Sequence, residues 1–241
     1  MLPEDGFIRW LLWAWERLLR CHGGIDDFRR RLLVTPTEED FPVDLELEGH
    51  ELVEDYFLFV IEHAGLQGWP FQLVAETEVE VPTSDDGSSL LRVGYDPTLL
   101  ATPTRLVAQL ARGAARHLVL MDGDDDLDDG EIEPLADATS VFLGFGLFAA
   151  NAAPRIGYNH LSLLASPALP VPVGALCEHE VAYALALFTV LTEVPDRIVE
   201  RHLRPNPREF YRRGEKHILR HRGRELSRLR QVPLAGVAPY R

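Results

Sequence analysis

The sequence predicts an α+β fold, predominantly helical, with a small antiparallel sheet ahead of the helix LVAQLARGAARHLVL. Three observations carry that expectation. Apolar residues recur at three- and four-residue spacing in several long segments, the mark of amphipathic helices. One segment, FQLVAETEVEVP, instead alternates through Leu73, Ala75, Thr77, Val79 and Val81, the two-residue period of a strand. A second short run, LLRVGYDP, follows the turn-forming SDDGSS, and the pair suggests a small antiparallel sheet.

Each element follows from its own residues. Residues 7 to 20 carry a wide apolar stripe of Phe7, Ile8, Leu11, Leu12, Trp15, Leu18 and Leu19, extended by Trp10 and Trp13. Polar residues are few on this helix, which favours packing on the body or on a second subunit over a membrane surface. Residues 26 to 34 continue as helix or strand into TPTEEDFP, where prolines and acids signal a loop. Leu52, Tyr56, Phe59, Val60 and His63 predict an amphipathic helix from Leu52 to Ala64, closed by Gly65 and Gly68. After the two strands, Thr102 and Pro103 form a helix start, a hydroxyl N-cap with proline in the first turn. They open the helix LVAQLARGAARHLVL. Beyond the acidic loop DGDDDLDDGEIE, a helix begins near Pro134 and runs through ADATSVFLGFGLFAAN. Gly144 and Gly146 weaken it, so close packing against another element is expected there. CEHEVAYALALFTVL is a further apolar helix ending before Pro195, and basic helices follow. The expected organisation is one compact domain over 1–241: a Trp-rich helix (1–25), an α/β part (26–100), a helical core (101–195) and basic C-terminal helices (196–241).

Composition narrows the function classes. With 241 residues, 46% of them hydrophobic, the chain can bury a sizeable core. Cys21 and Cys177 are too few for a disulfide framework and fit no C-x-x-C metal spacing, so buried, inert thiols in a reducing compartment are expected. The start shows acids before its apolar run and no small-residue cleavage site, and no stretch is expected to supply the ~20 apolar residues of a membrane span. A cytoplasmic protein is the expectation. The net charge of −14 is uneven, since residues 197 to 230 hold twelve Arg and Lys against four Glu, a local net of +8. Phosphate backbones bind such segments. Without aromatic interleaving or a recognisable nucleic-acid motif, docking on the acidic body or simple solvation is the simpler expectation.

The helix LVAQLARGAARHLVL carries the chemistry of interest. An H-E-x-x-H helix binds zinc because side chains four apart share a face: two imidazoles reach one ion, and the intervening Glu acts as general base to its water. Here the corresponding positions hold Arg112, Gly113 and Arg116, while Glu133 and Asp137 follow at a spacing of four. The stretch from Glu133 to Asn151, EPLADATSVFLGFGLFAAN, resembles the segment E-x-L-T-D-L-x-x-V-F-x-G-x-G-x-F-x-A-N of a bacterial zinc-metallopeptidase-like family, gluzincin-like in type. DPTLLATPTRLVAQLA is similar to the run-up to that family's zinc helix, RRLLVTPTEEDFP and EHAGLQGW to its N-terminal portion, and GALCEHEVAYALALF and NPREFYRRGEKHIL to its last helices. The resemblance spans roughly residues 30 to 220. It implies a zincin-like helical core over 101–195, with Glu133 at the place of the third zinc ligand and Asp137 at that of the residue orienting a histidine.

The departure from that pattern removes the chemistry. A guanidinium cannot ligate zinc, and glycine cannot move a proton. His117 lies about 100° round the helix from the ligand face, as a partly buried helix histidine would. Two arginines supply the formal charge of one zinc ion, so Arg112 and Arg116 are expected to pair with Asp137 and Glu133 by charge-assisted hydrogen bonds. Arg112→Ala should then destabilise the fold far more than Arg105→Ala. The competing view makes Arg105, Gln109, Arg112 and Arg116 the solvated face of an ordinary amphipathic helix.

Other sites carry weaker signals. Asp124, Asp126 and Asp128 alternate as in a calcium loop, but Asp129 and Leu135 stand where an EF-hand needs Gly and Glu, so a solvated loop is expected over 122–131. GFGLF lies in an apolar helix rather than after a strand, and Ser140, Ser162 and Ser166 lack a nucleophile-elbow context. Glu178, His179 and Glu180 suit a helix N-terminus. His160, His202, His217 and His221 are scattered, with only the last two at helical spacing amid cations. The resulting expectation is a catalytically inactive relative of zinc peptidases, without cofactor or metal. Its vestigial site is Arg112, Gly113, Arg116, Glu133 and Asp137, and it has a binding or scaffolding role that a partner surface at Trp10, Trp13 and Trp15 would serve. Oligomerisation stays open. The alternatives are a hydrolase with an unrecognised site and a nucleic-acid-associated protein using residues 197 to 230.

Overall fold

Helix α1 (Asp5–Cys21) turns its expected stripe inward, burying Ile8, Leu11, Leu12, Trp15, Leu18 and Leu19 together with Ala14. The computed structural model describes residues 1–42, 46–75, 91–122, 129–155 and 173–233. Gly23, at φ 93°, leads into the short α2 (Gly24–Phe28), so only the first three residues of the 26–34 segment are helical. Helix α3 (Gly49–Ala64) lies where its apolar spacing predicts and is closed by Gly65 at φ 76°.

Strands β1 (Phe71–Ala75) and β2 (Leu91–Tyr95) pair in parallel, Phe71 opposite Leu91 and Ala75 opposite Tyr95. The expected antiparallel arrangement is therefore corrected. A tight hairpin would impose opposite directions, but β1 ends at Ala75 and the fifteen residues to Leu91 are long enough for the crossover that parallel strands require. Thr77, Val79, Val81 and the SDDGSS turn lie outside the described residues, as do Asp124, Asp126, Asp128, His160, Ser162 and Ser166.

Helix α4 (Pro103–Met121) begins as predicted, with Pro103 in its first turn. The Thr102 hydroxyl does not cap it. It donates instead to the Leu99 carbonyl of the preceding 3-10 turn, at 3.3 Å. Helix α5 (Asp129–Ser140) starts five residues ahead of Pro134, which sits inside it. The single helix expected from there through Asn151 is broken by a wide turn over Val141–Phe145, where Gly144 has φ 105°, before α6 (Gly146–Ala152) resumes. The two glycines are explained by close approach. The Leu32 carbonyl occupies the space of a Cβ on Gly144, and Leu185 Cδ1 would lie 2.8 Å from one on Gly146. The Val34 N–H also donates to the Gly144 carbonyl at 3.0 Å.

The buried segment from α5 to α6 is shared by two hydrophobic clusters. Val141, Phe142 and Leu147 face one cluster with α1, α2 and the C-terminal helices, whereas Leu143, Phe145 and Phe148 face another with α3, α4 and the strands. This segment also corrects the expectation about membrane spans. Gly130–Ala152 is long and apolar enough to cross a bilayer by composition, but 94% of its apolar window is buried inside the protein.

The remaining helices are α7 (Glu178–Thr192), α8 (Asp196–His202), α9 (Pro205–His221) and α10 (Gly223–Leu229). Helix α7 is buried on nearly all sides, and Gly214 lets α9 approach it to within contact of Tyr183 and Ala186. The basic tail docks on the body, where Arg228 meets Glu16 at 2.9 Å and Arg222 meets Asp5, and Arg212 meets Glu200 within the tail at 2.6 Å. Two expectations about exposure change. Trp15 is fully buried and Trp10 partly so, leaving Trp13, 42% exposed, as the sole open tryptophan of the three and removing most of the expected partner surface. Cys21 is an exposed thiol in no disulfide, rather than a buried one, and Cys177 is half-buried.

One carboxyl group couples this packing to pH. Glu215 on α9 is pushed up to about 7, by burial first and then by its hydrogen bond to and repulsion from Asp196, with Glu200 adding to it. Asp196 also accepts from the Tyr211 hydroxyl at 2.9 Å. A folded pKa above the unfolded one means that the folded chain holds the extra proton between roughly pH 4.5 and 7, so this stabilisation is full below 4.5 and is lost as pH rises through 7. Glu215→Gln is therefore expected to be more stable than the parent at pH 8, by about 1 kcal/mol after solvent screening, and equal to it at pH 4.5. Urea unfolding at the two pH values measures this.

Candidate functional site

Helix α4 presents Arg112 and Arg116 one turn apart, and α5 presents Glu133 and Asp137 one turn apart on the facing side. The four side chains meet. Arg112 Nε donates to Asp137 Oδ1 at 2.6 Å, Arg112 Nη2 donates to Glu133 Oε2, and Arg116 Nε donates to Glu133 Oε1 at 2.7 Å. Arg112 is thus a fork holding both carboxylates. Asp137 is buried and Arg112 half-buried, whereas Glu133 and Arg116 are more open to solvent. The solvated-face view of this helix fails, because Arg105 is only 5% exposed and the Gln109 side chain accepts from the Asp96 N–H at 2.9 Å.

Residues that the sequence reasoning did not single out complete the site. The second oxygen of Asp137 accepts from the backbone N–H groups of Ala175 and Leu176, at 2.6 and 2.7 Å. Gly174, at φ 97°, lets the chain close on this carboxylate, since a Cβ there would lie 2.8 Å from Asp137 Oδ2. Ala175 and Leu176 act through their backbone, so their side chains leave no signature, and the glycine of PVPVG was the one available signal. Gly113 is likewise a packing residue, because a Cβ on it would lie 2.6 Å from Cγ1 of the buried Val93 on β2. The neighbouring His117 Nε2 bonds the Arg92 carbonyl at 2.6 Å, fixing the same strand to α4. Strand β2 therefore fills the space in which a larger residue at position 113 would project.

The electrostatics follow from this arrangement. Burial works against the charged form of Arg112, and Asp137 and Glu133 outweigh it, so the guanidinium stands above its ordinary pKa. Burial pushes the Asp137 carboxyl up, opposed by Arg112 and the Leu176 and Ala175 N–H groups. All three of those partners donate, so the bonding geometry is that of a carboxylate. Burial raises Glu133, but Arg116 and Arg112 more than offset it and hold its carboxyl below the usual range. A general base working near neutral pH requires the opposite shift. The site can clamp α4 to α5, since three donors engage the Asp137 carboxylate and both arginines engage that of Glu133.

Among the described residues one other group has metal-ligand chemistry. Cys177, His179 and Glu180 have ligand atoms mutually within 4.8 Å at the start of α7. Glu180 is already engaged, accepting from the Cys177 N–H at 2.8 Å, in keeping with a residue suited to a helix N-terminus. Comparison with protein-family models, with curated proteins and with solved structures gives no match for this chain.

Proposed function

We propose that this protein is a catalytically inactive, zinc-peptidase-like chain with a binding or scaffolding role, in which arginine–carboxylate pairs stand where a catalytic ion would be held. The observation that carries the reading is the Arg112 fork, which bonds both Glu133 and Asp137, the carboxylates a metal would need. Gly113 packed on Val93 supports it, since the position of a catalytic glutamate is closed by a strand. A binding role is supported by an apolar cavity of about 590 Å³ beside α4, lined by Phe41, Tyr56, Val107 and Phe148 among others. That volume suits a small organic ligand. The alternative of a nucleic-acid surface along residues 197 to 230 draws less support, because Arg212, Arg222 and Arg228 are spent on carboxylates of the same chain.

Metal analysis tests this reading. Protein equilibrated with zinc and then dialysed is expected to retain no zinc that depends on Glu133, and to leave an unfolded polypeptide substrate intact. One equivalent of zinc that Glu133→Gln removes, accompanied by peptide hydrolysis, would establish an enzyme instead. Zinc lost only on Cys177→Ser would belong to the cluster at α7 and leave the arginine site as described.

A further inference from the structure

A second cavity, of about 410 Å³, lies against α9, where Arg213, Lys216, His217, Arg220 and His221 line it. Met1 and Leu2, both exposed, complete its wall. The five basic residues recur at intervals of three, one, three and one, which places them on one helical face. The face toward the core is different, carrying Tyr211, Gly214 and Ile218.

Two cations without an ion pair, Lys216 and Arg220, share this cavity, whereas several other arginines of the basic tail are matched by carboxylates of the same chain. Outside it, Arg212 pairs with Glu200, Arg222 with Asp5 and Glu225, and Arg228 with Glu16. On its rim Arg213 pairs with Glu209 at 2.7 Å. The side chains of Lys216 and Arg220 have no hydrogen-bond or ion-pair partner among the described residues, although the chain carries an excess of fourteen negative charges. Uncompensated like charges on one helix face repel one another. An external anion relieves that repulsion. His217 adds an oriented donor: its Nδ1 lies 3.0 Å from the Tyr183 hydroxyl. Burial pushes that phenol up to about 12, so it stays protonated and is able to donate to Nδ1. With the phenol as donor, the imidazole accepts at Nδ1 and carries its hydrogen on Nε2.

We propose that this cavity is a binding site for a small phosphate-bearing molecule, with phosphoryl oxygens held by Lys216, Arg220 and the His217 Nε2–H and an apolar portion resting on Met1 and Leu2. A phosphomonoester dianion matches two unpaired cations in charge and offers acceptors for the imidazole donor. A nucleic-acid backbone fits less well, because it requires an extended track of cations, and nearby Arg212, Arg213 and Arg222 are paired with carboxylates of the same chain.

Calorimetric titration with phenyl phosphate, with inorganic phosphate and with a duplex oligonucleotide tests the assignment. Saturable one-site binding of phenyl phosphate is expected, stronger than that of inorganic phosphate, and at least tenfold weaker in the Lys216→Gln/Arg220→Gln variant. Arg224→Gln, altering an exposed arginine outside the cavity, is expected to bind as the parent does. The imidazole nitrogen resonances of His217 are expected to shift in the parent on addition of phenyl phosphate. Both substituted side chains are exposed, and an unchanged unfolding midpoint confirms that the variant is folded. Absence of saturable phenyl phosphate binding, equal binding by the double variant, or a preference for the duplex would each overturn the proposal.

Discussion

Arg112→Ala is expected to lower the unfolding free energy by about 3 kcal/mol, at the lower end of what breaking a buried ion pair costs. The buried Asp137 carboxylate loses its counter-ion and the 2.6 Å bond from Nε, while keeping the N–H groups of Ala175 and Leu176. Those two remaining bonds are why the loss is not larger. Arg116→Ala removes one bond from the more solvent-exposed Glu133, which Arg112 still holds, so less than about 1 kcal/mol is expected there. In thermal unfolding the first loss corresponds to a fall of roughly 10 °C for a chain of this size. Arg9, on the exposed surface of α1, provides the neutral reference. The reference suggested by sequence alone, Arg105, is unsuitable because it is buried. Arg112→Lys is expected to recover little, since a point charge cannot reproduce two bonds to separate carboxylates. Equal melting of Arg112→Ala and Arg9→Ala would show that the fork contributes nothing to holding α4 against α5.

Gly144→Ala is expected to destabilise the protein by about 3 kcal/mol or more. The substitution combines two penalties, a side chain in a backbone region that L-residues rarely adopt and overpacking of a closed site. Gly144 has φ 105°, and the atom that its new Cβ would meet is the Leu32 backbone carbonyl, which cannot swing aside as a flexible side chain would. The consequence extends beyond the turn. The Val34 N–H donates to the Gly144 carbonyl, and His63 Nε2 contacts the Leu32 carbonyl at 3.2 Å, so the turn ties the 31–34 segment and α3 to the segment shared by both hydrophobic clusters. Gly130→Ala, in α5 with nothing near the new methyl, is the control and is expected to be neutral or slightly stabilising. A Gly144→Ala variant as stable as the Gly130→Ala control would mean that the turn relaxes freely, and that the kink between α5 and α6 is not imposed by packing.

Helical periodicity made much of this fold legible. The stripe of α1, the span of α3 with its closing Gly65, and the start of α4 at Pro103 all follow from local spacing and local caps. What local pattern did not reveal was direction and curvature. Parallel pairing of β1 with β2 depends on the course of the chain between them, which alternation does not encode. The break at Gly144 reads as helix because the residues on both sides keep an apolar helical pattern, and the approaching Leu32 carbonyl comes from a distant segment. At the site, the pairing of Arg112 and Arg116 with Glu133 and Asp137 was legible, because charge and i, i+4 spacing are both written in side chains. The closure of Gly174 to Leu176 over Asp137 and the seat of Gly113 on Val93 were not. Backbone donors and absent side chains carry no chemical signature of their own. The buried environments of Trp15 and Arg105 likewise depend on what the neighbouring elements place against them.

The central claim is that two guanidinium groups occupy the place of a divalent cation between α4 and α5. Zinc uptake by the Arg112→His/Arg116→His variant, measured by elemental analysis after dialysis and in a Cys177→Ser background, tests it most directly. The account predicts about one equivalent of zinc per chain in this variant, lost when Glu133→Gln is added, with none held by the Cys177→Ser parent. A folded double variant that binds no zinc, or a Cys177→Ser parent whose zinc depends on Glu133, would contradict it.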